Sequence, residues 1–163
     1  MYEQNVNQAT IEISKSEEVK QYVTFLVGDE TYGVSVMKVQ SINEMVEITH
    51  VPRAMSFIKG VINLRGAIVP VIDMRNKFNL PPKEYDSFTV ILIVEVRGRL
   101  IGMIVDAVSD VVDFPVSAIK TNINYSARVD TSAIEGVGMS GDSLIMLLDV
   151  ETFLGGENLK ESC

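Results

Sequence analysis

Tryptophan is absent from this chain of 163 residues, and histidine and cysteine occur once each. Those shortages close several classes of function. Zinc sites are built from clustered Cys and His side chains, and His50 and Cys163 lie far apart in the sequence. A lone cysteine permits no internal disulfide, which fits a reducing compartment. His50 has Thr49 before it and Val51-Pro52 after it, with no serine or carboxylate at catalytic spacing, and reads as a surface-loop residue. Basic residues are also scarce: 14 Lys and Arg stand against 22 Asp and Glu, a formal charge of −8. A broad phosphate-backbone binder would lack its main electrostatic attraction, leaving only a local basic patch as a route to nucleic acid. Aromatic residues make up 7% of the chain and the basic ones are scattered, so a base-stacking platform is a poor fit.

No apolar run approaches the roughly 20 residues that span a bilayer. Met1-Tyr2-Glu3-Gln4-Asn5 has neither the basic flank nor the apolar core of a secretion signal. The expectation is a cytoplasmic protein with no direct membrane insertion. Gly136-Val137-Gly138 and Gly155-Gly156 lack the Lys and Ser/Thr context of a phosphate cradle and read as turns. With no catalytic residues and no metal or cofactor site to name, an enzyme is not expected.

What the chain does contain is apolar: 47% of residues are hydrophobic and 22% charged, with Val and Ile abundant, the composition of a β-rich globular protein. Residues 1–20 and 156–163 are polar and read as flexible tails around one domain over 21–155. Within that domain the chain aligns with itself. Gly33 falls on Gly102, and Val36, Val39 and Ile42 then fall on Val105, Val108 and Val111 at the same offset. A second constant offset carries Gly60 to Gly136, Val71 to Leu147 and Asp73 to Asp149. Each copy opens with a hairpin, turned by Gly28-Asp29-Glu30 in one and Arg97-Gly98 in the other. Short helical turns are expected over 52–59 and 131–135, and again after Asp73 and Asp149, which suit the N-cap position. Strands of this length, broken by Gly, Pro and Asp, suggest two small antiparallel barrels that share a core, since neither alone would bury enough. Asp106, Asp110 and Asp113 interleave with valines and read as the wet face of a strand. Phe88 to Val94 is apolar on both faces, and is either buried between the barrels or offered to another protein.

The duplication isolates one residue. In "GVINLRGAIVPVIDMR", residues 60–75, Arg65 sits on a hairpin turn, and the second copy has Gly141 in its place. By itself Arg65 is either a solvated turn residue, with an ion pair worth under about 1 kcal/mol, or a guanidinium offered to a partner's acidic or carbonyl groups.

Three stretches, "YVTFLVGDETYGVSVMKVQSI", "FIKGVINLRGAIVPVIDMR" and "VILIVEVRGRLIGMIVDAVSDVV", resemble, in this order, the bacterial chemotaxis coupling proteins of the CheW family. The resemblance runs from about Gln21 to Leu154. It implies a mainly β fold of two pseudo-repeated five-stranded SH3-like β-barrels with short helical turns. It also implies a non-catalytic adaptor between the cytoplasmic tips of methyl-accepting chemoreceptors and the regulatory domain of the histidine kinase CheA, recruited to membrane-associated receptor arrays. Matched by position, the receptor-binding residues are Val39, Gly60, Arg65, Gly66, Val108 and Val111. The kinase-binding ones are Ile68, Val90 and Ile91, with Lys120 and Tyr125 resembling a second, ring-forming contact. Many relatives carry an acidic residue where this chain has Ser41. The competing reading, from another class, is a small-barrel nucleic-acid or ligand-binding module.

Overall fold

The structure is a computed structural model that describes residues 17–52, 57–121 and 128–155. The first copy of the repeat runs β1 (Val19–Val27), β2 (Glu30–Ser35), a 3-10 turn (Val36–Lys38), β3 (Val39–Glu44), β4 (Ile58–Leu64), β5 (Ala67–Asp73) and α1 (Met74–Lys77). The second follows the same plan: β6 (Val90–Val96), β7 (Arg99–Val105), β8 (Ala107–Pro115), two 3-10 turns (Val116–Ala118 and Thr131–Ala133), β9 (Ile134–Ser140), β10 (Ser143–Leu148) and α2 (Val150–Leu154). Both helices start as the sequence suggests. The Asp73 carboxylate accepts from the Arg75 N–H at 3.0 Å, and Asp149 accepts from the Glu151 N–H at 3.1 Å. Of the turn expected over 52–59, residues 53–56 lie outside the described residues, as do residues 1–16 and 156–163 of the two tails.

The duplication does not divide the molecule into one barrel per copy. One sheet has the order β8-β1-β2-β10-β9 and the other β3-β6-β7-β5-β4. Each therefore takes two strands from one copy and three from the other. Each is closed by a backbone bridge, Thr49 with Val61 and Lys120 with Val137. The expectation of purely antiparallel barrels is corrected at one seam in each: β2 runs parallel to β10, and β5 parallel to β7. These seams join strands from different copies, so no tight turn dictates their direction.

The swap explains the core. The largest cluster of buried side chains lies between the sheets and includes Phe25, Val27 and Tyr32 from one and Leu92, Val94 and Met103 from the other. Two smaller clusters fill the barrels: Ile62, Val71, Ile91 and Ile93 in one, Tyr22, Phe114, Ile145 and Leu147 in the other. Gly33 and Gly102 coincide in the two copies because these interiors are full. A Cβ on Gly33 would meet Leu147 Cδ2 at 2.9 Å, and one on Gly102 would meet Ile91 Cγ2 at 2.9 Å.

Strand β6 is covered on both faces, as an apolar run without alternation requires. Ile91 and Ile93 point into their own barrel, while Leu92, Val94 and Val96 point into the shared core. Ile91 is 0% exposed, and β6 lies between β3 and β7 rather than at a sheet edge. Its assignment to a kinase-facing surface is therefore corrected. Asp106 is corrected too. It is no wet-face residue but a partly buried carboxylate bound by the Arg75 guanidinium at 2.9 Å.

Candidate functional site

On a β-ladder, residues directly opposite each other point to the same face. Val39 lies opposite Val94 and Ile42 opposite Leu92 on β3, while Val108 lies opposite Phe25 and Val111 opposite Val23 on β8. All four partners belong to the shared core. Val39, Ile42, Val108 and Val111 thus occupy the shared-core side of the two pseudo-equivalent outer strands. Val39 and Val108 are half-buried against the core; Ile42 and Val111 remain 47% and 57% exposed. Ile42 is the residue that sequence reasoning passed over, although the duplication had already paired it with Val111.

Arg65 lies elsewhere. It tips the β4–β5 hairpin, and a shallow depression of about 240 Å³ brings it together with Ser41 and Asn43 of β3 and with Leu100. Ser41 and Asn43 lie opposite Ile93 and Ile91, on the barrel-interior face of β3. Val39 and Arg65 therefore lie by opposite faces of β3. The Arg65 backbone has φ 53° and that of Gly66 has φ 89°, a pair of left-handed residues whose turn is held by the Gly66 N–H donating to Asn63 Oδ1 at 2.8 Å. Arg97-Gly98 has the same geometry. There, however, the Arg97 N–H donates to Glu151 Oε2 at 3.1 Å and its Nη1 to the Gly155 carbonyl at 3.1 Å. Arg65 makes no hydrogen bond or ion pair among the described residues.

Gly60 is buried, and a Cβ there would stand 2.2 Å from the Thr49 carbonyl oxygen. Gly136, its equivalent, would drive a Cβ to 2.4 Å from Ile119 Cγ2 beside Lys120. Both glycines sit where a barrel closes, so Gly60 is demanded by the fold and offers a partner no surface.

Ile68 is 65% exposed on β5 and lines an apolar depression of about 480 Å³ with Val51, Val61, Pro70 and Leu100. Val90 is half-buried against the shared core. Lys120 belongs to the other barrel, where its backbone bridges Val137, so it forms a separate surface from Ile68. Tyr125 lies outside the described residues. No helix among the described residues is long and apolar enough to cross a membrane.

The model of the CheW-like domain matches residues 21–157. The chain belongs to the CheW-like family. Chemotaxis protein CheW of Klebsiella aerogenes is 36% identical over 140 residues, covering 86% of this chain and 84% of that protein. The Bacillus subtilis chemotaxis protein CheW is 34% identical over 149 residues, with 91% and 94% covered. Among solved structures, the scaffolding protein TtCheW of Thermoanaerobacter tengcongensis superposes with a TM-score of 0.78 at 31% identity, over 86% of this chain and 96% of that one. The two sheets are accordingly a pair of SH3-like barrels, and the chain is a CheW-type chemotaxis adaptor that couples receptors to CheA.

Proposed function

We propose that the chain takes the cytoplasmic tip of a methyl-accepting chemoreceptor on the open apolar side of β3 and β8 and the regulatory domain of CheA at Ile68, without catalysis of its own. One observation carries this reading. The duplication leaves Val39, Ile42, Val108 and Val111 as matched pairs beside the shared core, and two of the four are substantially exposed. An apolar helical tip laid against them would bury side chains worth about 1–3 kcal/mol each. Arg65, in a left-handed turn at the rim of β3 and without a hydrogen bond or ion pair among the described residues, would add charge-assisted hydrogen bonds that set the register of the receptor. Ile68 and the depression beside it supply the kinase contact, and Lys120, on the other barrel, belongs with Tyr125 to a second contact. The chain acts from the cytoplasm, recruited to receptor arrays through these contacts.

Titrating a receptor-tip fragment and the CheA regulatory domain, separately and together, tests it. Both should bind at once, with neither weakening the other. Mutual exclusion would overturn the two-surface arrangement. Salt-sensitive retention on DNA or RNA, with no receptor binding, would favour the small-barrel nucleic-acid reading instead.

A further inference from the structure

The two barrels are fastened to each other by a pair of electrostatic latches at pseudo-equivalent places, and the latches have opposite polarity. At the first, Asp106 stands between β7 and β8. Its Oδ2 accepts from the N–H of Gly28, in the β1–β2 turn, at 2.8 Å, and from Arg75 Nη2 on α1 at 2.9 Å. Arg75 Nε adds a bond to Oδ1 at 2.9 Å, and Nη1 donates to the Pro81 carbonyl at 2.9 Å. At the second, the carboxylate sits on the helix. Glu151 of α2 occupies the position of Arg75 in the other copy, and its Oε2 accepts from the N–H of Arg97, the equivalent of Gly28, at 3.1 Å. The cation now stands between the strands: Lys38, immediately before β3, places Nζ 3.7 Å from the same oxygen.

The latches are unequal. Arg75 and Asp106 meet through a planar fork with side chains 21% and 16% exposed, whereas Lys38 and Glu151 make one longer contact with side chains 42% and 33% exposed. A forked, partly buried pair resists both solvent and salt; a single exposed ammonium contact is screened. Each latch also anchors the residue immediately before one candidate groove strand. Asp106 precedes β8, which carries Val108 and Val111, and Lys38 precedes β3, which carries Val39 and Ile42.

We propose that Lys38, Glu151, Arg75 and Asp106 are positioning residues for the receptor groove, and that their inequality makes β8 its fixed wall and β3 the wall that yields. The function of that groove rests on the proposal above; the latch itself does not. Because the weak pair is electrostatic and exposed, raising the salt concentration or reversing one charge should free β3 and leave β8 in place.

Amide hydrogen exchange on the full chain, compared between β3 and β8, tests the latch directly. Lys38→Glu should speed exchange over Val39–Glu44 by about two- to five-fold, the range an exposed pair supports, with β8 unchanged. Lys38→Arg, which keeps a cation beside Glu151 Oε2 and leaves the bond from the Arg97 N–H intact, should exchange like the wild type, and high salt should imitate Lys38→Glu in the wild type. Receptor-tip affinity should fall with Lys38→Glu and hold with Lys38→Arg, while affinity for the CheA regulatory domain stays level. Equal exchange in β3 in the wild type and Lys38→Glu would overturn the proposal, as would loosening of β8 in parallel. If β3 responds to Lys38→Glu but not to Lys38→Arg while receptor affinity does not move, the latch stands and the groove reading falls.

Discussion

At Arg65 local energetics and the proposed receptor contact pull in opposite directions. A side chain in the left-handed region costs roughly 1 kcal/mol relative to glycine, and Arg65 has φ 53° with no hydrogen bond or ion pair among the described residues in return. Arg97 bears the same conformation but makes two hydrogen bonds to the α2 end of the other barrel. Arg65→Gly should therefore leave the melting temperature unchanged or slightly raised, while receptor-tip affinity falls by about 1–3 kcal/mol. A variant that melts lower and binds normally would make Arg65 a structural residue. A second contrast separates surface from core. Ile68→Asp, at a residue 65% exposed, should change stability by no more than about 0.5 kcal/mol and weaken binding to the CheA regulatory domain. Ile91→Asp should unfold the chain, because it drives a carboxylate into a filled barrel interior at a cost of several kcal/mol. Denaturant melts and titrations on both variants check the pair, and a folded Ile91→Asp protein would contradict the packing described.

Among the elements, the junction of β7 and β8 carries the clearest dependence on pH. Burial opposes ionisation of Asp106, but the Arg75 guanidinium and the Gly28 amide outweigh it and hold the carboxyl below the usual aspartate range. A carboxyl more acidic in the folded than in the unfolded chain stabilises the fold above its unfolded pKa, and that contribution disappears as pH falls through the folded value. Asp106→Asn should accordingly lower the melting temperature at about pH 7, and that difference should shrink as pH falls through the folded value. An equal loss above and below that value would mean that Asp106 acts through hydrogen-bond geometry alone. Helix starts belong to the same scale. Asp73 and Asp149 were legible as caps because capping needs only a side chain and an amide two residues on. The turns were legible for a similar reason: Arg65-Gly66 and Arg97-Gly98 set their own backbone conformation within a few residues.

At the scale of the whole molecule, the exchange of strands between copies makes each barrel depend on both halves of the chain. Neither half owns a closed sheet, and the largest core draws side chains from both. A chain split after Lys83, between α1 and β6, should give two halves that do not fold as monomers but recover native circular dichroism when mixed. A folded, monomeric half would show that one copy closes a barrel by itself. The sequence alone determined the duplicated plan, the acidity, the caps, the turn that carries Arg65 and the family, because these depend on spacing and residue type along the chain. It placed the valines of β3 and β8 as equivalents, but treated Gly60 as a contact and Ile91 as surface. Only the tertiary structure decided those, along with which copy lends strands to which barrel and how Asp106, Arg75, Lys38 and Glu151 meet across the seam. An apolar strand such as β6 reads the same whether its two faces are buried or offered to a partner. The face that meets solvent is chosen by segments far away in sequence, whose burial lowers the free energy of the whole rather than of any one stretch.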